Sequence, residues 1–423
     1  MTQIKAFPAT VYNQEKIKNI EKVFCPPYDI VSTDEQEYYY KSHPNNFIRL
    51  ILNKTEPADN SVNNRYSRAK KTFEEWQKDG ILNKDKQDCI YFYLQEYVIR
   101  GEKRRRLGFI ALMRLQDEAE KKIFPHENTH LGPKEDRLEL LKNVQANLSP
   151  IFVLFSDKEK NISRVFSEKL SQDNSFIDIT DKDKVNHKLW RLTDDKLINR
   201  IVSDMRDKSI FIADGHHRYE VALGFRSQMI AKKGSSTGKE DFNYILTYFT
   251  NLDSKDLLIL PTHRVVKKLT KGLDFLEEYF RVEKVKNKND LLILLAKAGM
   301  NEHAFGLYQK DKIRLLRLKS DTVIDKIIKE GSADYRRLDV TILKNFILDR
   351  LDIISEDLIF TNGIDEAMRI VDDGQADVAF LLNSIKVSQL RDIAVAGERM
   401  PPKTTYFYPK VLSGLVVNKL ERF

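Results

Sequence analysis

Residues 209–218 are Ser209-Ile210-Phe211-Ile212-Ala213-Asp214-Gly215-His216-His217-Arg218. The apolar run before Asp214 predicts a short buried strand, and Asp214-Gly215 predicts a tight turn. Beyond the turn, apolar residues recur at the spacing of a helix, at Val221, Ala222, Phe225 and Met229. The sequence therefore predicts a strand that passes through a glycine turn into a helix, with a polar, cationic cluster at the junction.

The first turn of such a helix favours an anion, because its N–H groups lack partners within the helix and the helix dipole is positive there. Gly215 lets the backbone approach a ligand closely, and Arg218 can form paired hydrogen bonds to phosphate oxygens. Asp214 could bind a metal ion or orient a hydroxyl group. These residues predict a phosphate-binding site beside a carboxylate. The alternative is a structural junction in which Asp214 only caps the helix.

Length and charge restrict the class of protein. A chain of 423 residues is long enough for two or three domains, each with its own core. The 71 Lys and Arg residues outnumber the 63 Asp and Glu residues, which gives a net charge of +8. This excess suits anionic small molecules and does not require nucleic acid. Part of it is local and predicts a hairpin turn with solvated side chains, at Arg100, Lys103, Arg104, Arg105 and Arg106.

Cysteine usage and the hydropathy pattern bear on the cellular compartment. Cys25 and Cys89 are far apart and belong to no metal-binding motif, which indicates a reducing compartment without a disulfide framework or zinc ribbon. The sequence begins without the basic and then apolar pattern of a signal peptide, and no apolar run approaches the ~20 residues of a membrane span. We therefore expect a cytoplasmic protein with no membrane partner.

The pattern along the chain predicts two domains, 1–270 and 271–423. Apolar patterning in the first predicts strands over 46–52, 90–99, 107–115 and 151–155 and helices over 62–80 and 134–147. From about residue 270 a smaller α/β unit begins. The polar, proline-containing run over 397–410 predicts a loop that packs over a site.

His126-Glu127-Asn128-Thr129-His130 matches the zinc-protease motif H-E-x-x-H. That motif depends on a helix, which places both histidines on one metal ion. Here Pro125 precedes the motif and Gly132-Pro133 soon follow it, so a long helix is not expected. Glu127 is then an isolated loop carboxylate, either a general base towards a hydroxyl group or a solvated surface charge.

Seven short segments spread along the chain are Pro26-Pro27-Tyr28-Asp29, Asn46-Phe47-Ile48-Arg49-Leu50, Pro133-Lys134-Glu135-Asp136-Arg137, Asn147-Leu148-Ser149-Pro150, Asp214-Gly215-His216-His217-Arg218, Leu260-Pro261-Thr262-His263-Arg264 and Met400-Pro401-Pro402-Lys403-Thr404-Thr405. Through these segments the chain resembles, over nearly its full length, a bacterial and archaeal family catalogued as a domain of unknown function. The coverage makes the match specific, but the family implies no activity.

The chain is also similar, more distantly, to the free L-serine kinases of the ParB/sulfiredoxin-like superfamily. Three segments match in the same order, Pro125-His126-Glu127, Ala213 to Arg218, and Pro402-Lys403-Thr404-Thr405. The resemblance implies an α+β fold: a ParB/sulfiredoxin-like nucleotide-binding core with an elaborated N-terminal region, in 1–270, and a smaller C-terminal α/β domain whose loop closes over the site. This chain is much longer than those kinases, and its spacings between the segments differ.

The same resemblance implies the function, a phosphotransferase that moves phosphate from ATP or ADP, with Mg²⁺, to the hydroxyl of a small metabolite. Free L-serine is the expected acceptor, with O-phosphoserine as the product. Glu127 is the expected base, and Asp214 binds Mg²⁺ or orients the acceptor. The residues expected to hold the phosphates of the nucleotide are Gly215, His216, His217 and Arg218. Those expected to hold the acceptor or the transferred phosphate are His126, Lys403, Thr404 and Thr405.

Two other functions stay open. One is a ParB-like nucleotide-binding regulatory or DNA-associated protein without kinase activity, although no helix-turn-helix with a basic recognition helix is evident. The other is a metabolite sensor with the same pocket and no catalysis. Tyr28 and Asp29 either line the site or close the core, and Pro261-Thr262-His263-Arg264 is a further candidate for contact with phosphate or acceptor. The sequence leaves the acceptor, the choice of ATP or ADP and the oligomeric state open.

Overall fold

The computed structural model describes residues 1–99, 101–117, 120, 122–129 and 131–423. The chain divides into two compact units, neither of them continuous in sequence. The first unit is Met1–Phe124, Thr129–Leu257 and Pro409–Phe423, and the second unit is Pro125–Asn128 and Leu258–Tyr408. These bounds differ from the predicted domains 1–270 and 271–423, which stay a prediction. None of the helices in the described residues has the length and apolar character needed to cross a membrane.

The described strands, in chain order, are β1 (Ile4–Lys5), β2 (Thr10–Tyr12), β3 (Leu82–Lys84), β4 (Ile90–Ile99), β5 (Glu102–Arg114), β6 (Ile123–Phe124), β7 (Ala146–Asn147), β8 (Ile151–Phe155), β9 (Ile177–Thr180), β10 (Asn186–Leu192), β11 (Ile210–Asp214), β12 (Tyr244–Asn251), β13 (Leu258–Leu260), β14 (His263–Val266), β15 (Phe280–Val285), β16 (Ala304–Gln309), β17 (Lys312–Leu318), β18 (Leu358–Thr361), β19 (Val378–Leu381), β20 (Tyr406–Tyr408) and β21 (Asn418–Lys419).

The described α-helices are α1 (Thr33–Ser42), α2 (Ile48–Ile51), α3 (Arg65–Lys78), α4 (Leu131–Val144), α5 (Asn161–Lys169), α6 (Asp195–Met205), α7 (His216–Lys233), α8 (Leu276–Tyr279), α9 (Lys288–Ala298), α10 (Ile324–Ile327), α11 (Ala333–Arg336), α12 (Asp339–Leu343), α13 (Ile364–Asp372) and α14 (Val387–Val395). A π-helical turn, Lys344–Leu348, continues α12.

A nine-stranded mixed sheet forms the centre of the first unit. Its strand order is β6-β11-β8-β12-β5-β4-β10-β9, with β1 also paired to β5. The pairs β6 with β11 and β8 with β12 are parallel, and the other neighbours are antiparallel. The buried core of this sheet includes side chains of α5, α6 and α7. Burial of this apolar surface fixes β11, and therefore the start of α7, in place.

The second unit has a six-stranded sheet in the order β15-β17-β16-β19-β14-β18, in which all neighbouring strands are antiparallel. One core cluster packs α9 and α13 against the sheet. Another packs α8, α10, α12 and the π-helical turn against it. The unit is thus one sheet with two hydrophobic core clusters, each formed between the sheet and a group of helices. β14 is one of the inner strands of this sheet.

Most predicted elements of the first unit are confirmed. The strand, turn and helix at 209–218 become β11, Gly215 and α7, and the predicted hairpin becomes β4 and β5. The strand predicted over 46–52 is wrong, because Ile48–Ile51 forms the short helix α2. The Asn46 side chain accepts a hydrogen bond from the backbone N–H of Ile48 at 2.9 Å. A short apolar run fits a buried helix as well as a buried strand, so the pattern alone could not decide.

The predicted solvated basic turn is wrong in one respect. Lys103 to Arg106 belong to β5, and the Arg106 side chain is buried, with only 1% of the residue exposed. Its guanidinium donates to the side-chain oxygen of Gln95 and to the carbonyl of Pro409. Arg100, the first residue of the predicted turn, lies outside the described residues. Arg106 is therefore a structural cation of the sheet.

Candidate functional site

The junction between β11 and α7 depends on Gly215. This residue has a φ of 93°, in the left-handed region that side chains disfavour. A Cβ at this position would lie 2.9 Å from Cγ2 of Ile151, which is fully buried in β8. The pairing of β11 with β8 also shifts register between Ile212 and Asp214, and such irregularities redirect side chains at strand ends. Glycine is therefore required for both backbone conformation and packing.

Asp214 forms two ion pairs at this junction. Nζ of Lys410 lies 2.6 Å from Oδ2, and Nη2 of Arg218 lies 3.4 Å from Oδ1. The Asp214 side chain is 13% exposed. Burial alone would raise its pKa, but the charges of Lys410 and Arg218 outweigh burial and hold the pKa well below its usual range. Asp214 is therefore ionised at neutral pH.

Arg218, a predicted phosphate ligand, already forms hydrogen bonds within the protein. One Nη donates to the Pro150 carbonyl, and the other contacts Asp214. Of the other predicted phosphate ligands, His216 is buried and His217 is half-buried in the first turn of α7. The structure therefore brings together Asp214, Gly215, His216, His217 and Arg218 at one helix N-terminus. An anion bound there would compete with Asp214 for Arg218.

The predicted Mg²⁺ at Asp214 does not fit this arrangement. Both carboxylate oxygens face cations, Lys410 on one side and Arg218 on the other. No group of three or more His, Cys, Asp or Glu residues in the described part of the chain is placed to hold a metal ion. The role of Asp214 towards Mg²⁺ stays a prediction.

A cleft in the first unit reaches Arg218 and is walled mainly by apolar side chains of α4, α7 and β12. Tyr28 and Arg137 line it, with the Arg137 guanidinium 3.9 Å from the centroid of the Tyr28 ring. Arg137 also donates to Asp136 at 2.8 Å and to the Ile51 carbonyl at 2.7 Å. Burial raises the pKa of Tyr28 to about 12, so its phenol stays neutral. Tyr28, left open by the sequence, lies in the wall of this cleft.

The segment Pro125–Asn128 belongs to the second unit. Glu127 forms a parallel bridge with Met400, whose N–H donates to the His126 carbonyl at 2.7 Å. The described part of the H-E-x-x-H motif is therefore extended, without the helical spacing that zinc proteases need. The last residue of the motif, His130, lies outside the described residues. The side chain of His126 contacts Thr405, with 3.2 Å between Nε2 and Oγ1.

The backbone N–H of Lys403 holds the Glu127 carboxylate by a hydrogen bond of 3.1 Å to Oε1. Lys403 has a φ of 61°, and the Thr404 hydroxyl secures the turn by donating to the Pro401 carbonyl at 2.6 Å. The Lys403 side chain is exposed. The structure therefore brings together the predicted residues His126, Glu127, Lys403, Thr404 and Thr405 within the second unit.

Arg264 supports the same turn from β14. It is 5% exposed, and its guanidinium donates to the carbonyls of Lys403, at 3.2 Å, and Thr262. Burial lowers the pKa of Arg264 to about 10, with an opposing effect from the charge of Glu127. Arg264 is thus still cationic at neutral pH, and its charge attracts the Glu127 carboxylate. A carboxylate held in this way can act as a general base.

His263 gives a testable pH dependence. Burial first, and then the charge of Arg264, lowers its pKa from the ordinary value of 6.5 to about 4. Between these values the unfolded chain binds a proton that the folded chain does not, so stability falls as the pH falls. The expected loss between about pH 7 and pH 5 is about 2 kcal/mol.

His263→Asn is expected to remove this loss. Nδ1 of His263 accepts from the Leu382 N–H at 3.2 Å, and an asparagine oxygen can accept there without titrating. Urea unfolding of both proteins, followed by circular dichroism at the two pH values, makes the comparison. Parallel pH dependence of the two proteins would contradict the expectation.

The predicted site residues fall in two groups, one in each unit. Lys410 was missed as a partner of Asp214, although it lies in the polar run at 397–410 that the sequence singled out. The only feature of the sequence that marks Lys410 is its position directly after Pro409 in that run. Arg264 was a candidate without an assigned partner, because nothing local indicates that a buried arginine will bind the Lys403 carbonyl.

The family of the chain follows from comparison with known sequences. Residues 4–341 match the model of a family described as protein of unknown function (DUF1015). The chain belongs to this family, as the shared segments predicted. No curated protein matches the chain.

Several solved structures share a weak likeness, each with a TM-score of 0.36. A conserved hypothetical protein from Pyrococcus furiosus is 15% identical, and the match covers 74% of this chain and 97% of that one. A free serine kinase in complex with AMP is 15% identical, covering 70% of this chain and 86% of that one. SbnI from Staphylococcus aureus, with a C-terminal truncation, is 10% identical, covering 73% and 86%. Likeness at this level transfers no function.

Proposed function

We propose that the chain is a phosphotransferase that moves a phosphoryl group from ATP or ADP to the hydroxyl of a small metabolite, with free L-serine as the acceptor. The observation that carries the proposal is the hydrogen bond from the Lys403 N–H to the Glu127 carboxylate. It joins the segment of the predicted base to a segment predicted to bind the acceptor, 276 residues apart in sequence. Contact between segments so distant in the chain supports a shared chemical role.

In the proposed reaction the acceptor oxygen attacks the terminal phosphorus of the nucleotide. The bond from that phosphorus to the bridging oxygen breaks, and the shortened nucleotide leaves with its electron pair. Glu127 accepts the hydroxyl proton as general base. His126, Thr404, Thr405 and Lys403 bind the acceptor.

The phosphates of the donor bind at the start of α7, where Gly215, His216, His217 and Arg218 lie. Phosphoryl transfer needs little covalent participation by the protein, so positioning and charge supply most of the rate. The negative charge of the phosphates suits N–H groups and cations of this kind. We also propose that the first unit is the ParB/sulfiredoxin-like core of the sequence prediction.

The proposed location is the cytoplasm, where ATP and ADP are available. Cys25 and Cys89 are both buried free thiols, which suits a reducing compartment.

The test incubates the protein with ATP or ADP, Mg²⁺ and single acceptors, and detects phosphorylated product by mass spectrometry. L-serine is expected to give O-phosphoserine. L-alanine, which lacks the hydroxyl group, is the matched control and should give no product. Nucleotide binding without phosphorylation of any hydroxy-amino acid would overturn the kinase and favour the regulatory protein considered from the sequence.

A further inference from the structure

Lys410 enters the phosphate region of the first unit from the far end of the chain. Its ammonium lies 2.6 Å from Asp214 Oδ2, 196 residues earlier in sequence, and its side chain is only 11% exposed. Burying a lysine costs free energy of desolvation and side-chain entropy. Such a lysine keeps one position only if its backbone is held firmly.

Two polar side chains of the central sheet hold this backbone. Arg106 donates to the Pro409 carbonyl, and Gln95 Nε2 donates to the Lys410 carbonyl at 2.9 Å. The two side chains are direct cross-strand partners on β4 and β5, and Arg106 Nε donates to Gln95 Oε1 at 3.1 Å. Both are essentially fully buried. A buried guanidinium is costly to place in a sheet, and here it fixes the segment that carries Lys410.

The charge at the start of α7 depends on Lys410. Asp214 and Arg218 alone would cancel, and Asp214 would repel an anion at the helix N-terminus. Lys410 changes the sum of the three side-chain charges from zero to +1, in addition to the positive end of the helix dipole. An ammonium can donate up to three hydrogen bonds, so it can contact a carboxylate and a phosphate oxygen at once.

We propose that Lys410 is a phosphate-binding residue of the nucleotide site and that Arg106 and Gln95 are its positioning residues. This inference rests on the proposed function, because it assumes that a nucleotide binds at the start of α7. It adds a lysine to the predicted phosphate ligands Gly215, His216, His217 and Arg218. Arg106 and Gln95 act only through the backbone of Pro409 and Lys410.

The test measures dissociation constants of the full chain for ADP, ATP and adenosine by calorimetry. Lys410→Met keeps the length of the side chain and removes its charge, and should weaken ADP binding by about tenfold or more without affecting adenosine. Lys410→Arg should retain most of the affinity. Lys158→Met, at an exposed lysine of the first unit, is the matched control and should bind like the wild type.

Positioning is tested by a double-mutant cycle. Arg106→Met should weaken ADP binding, and the loss should not add to that of Lys410→Met if Arg106 acts through Lys410. Gln95→Glu gives a second route should Arg106→Met fail to fold, since it keeps an acceptor for Arg106 but cannot donate to the Lys410 carbonyl. It should weaken ADP binding in the same non-additive way.

The outcomes separate the two proposals. Normal ADP affinity in Lys410→Met overturns the role of Lys410 and leaves the proposed function intact. Additive losses in the cycle overturn the positioning role. A wild-type protein that binds neither ADP nor ATP overturns the proposed function, and the inference with it.

Discussion

Glu127→Gln is expected to slow phosphoryl transfer by about 10²- to 10⁴-fold, the usual contribution of a general base. Glutamine has the same shape as glutamate, and its oxygen can still accept the Lys403 N–H that lies 3.1 Å from the carboxylate. The turn at Lys403 should therefore persist, while the group that takes the hydroxyl proton is lost. Nucleotide affinity should not change, because the predicted phosphate ligands lie on other segments.

Initial rates of O-phosphoserine formation and calorimetric nucleotide binding together test this expectation. Glu330→Gln is the matched control, because Glu330 is an exposed glutamate of the second unit. It should retain wild-type rates. Wild-type turnover in Glu127→Gln would exclude Glu127 as the base, and a loss of nucleotide binding in this variant would point to a structural fault instead.

Among substitutions at the start of α7, Gly215→Ala is expected to have the largest effect on stability and on ADP binding. An alanine at a φ of 93° is strained, and its Cβ would lie 2.9 Å from the buried Ile151 side chain. Strain of this kind typically costs about 1–3 kcal/mol of stability. Relief of the strain must move the first turn of α7, so ADP binding should weaken by about tenfold or more.

Gly224→Ala is a control on the same helix. Gly224 lies inside α7, and a Cβ there would meet nothing within 4 Å. Alanine should stabilise the helix by about 0.5–1 kcal/mol and leave ADP affinity unchanged. Urea unfolding and calorimetry compare the two variants. Equal stability of Gly215→Ala and wild type would show that the left-handed conformation is not required.

Local sequence was sufficient to predict the β11–α7 junction. The apolar period changes from a buried strand to a helix at Asp214-Gly215, and both sides of the change lie within a few residues. The apolar run at 46–52 is too short for its period to distinguish a strand from a helix. Ile48, Leu50 and Ile51 are buried in α2, and the Asn46 side chain accepts a hydrogen bond from the Ile48 N–H where the helix starts.

The sequence predicts those candidate site residues that lie in short motifs. It does not predict the residues that reach the site through contacts with distant parts of the chain. Glu127 and Lys403 both lie in short segments that predict site residues, and the structure brings these two residues into contact. The roles of Arg106 and Lys410 depend on contacts across 303 and 196 residues of sequence. Arg106 in particular has the local sequence of a solvated basic turn, and its buried partners include Gln95 and Pro409, which lie elsewhere in the chain. Local patterns do not contain this information.

The first unit consists of three separate segments of the sequence, and this affects the order in which its parts are synthesised. Translation must pass through all of Leu258–Tyr408 before Pro409–Phe423 is made. Until then β7 lacks its partner β21, and Asp214 lacks Lys410. A nascent chain emerging from the ribosome can therefore assemble the strands of the large sheet early but gains the ammonium group beside Asp214 only at the end. Polypeptides released prematurely would carry the glycine turn without the lysine that offsets its neighbouring aspartate.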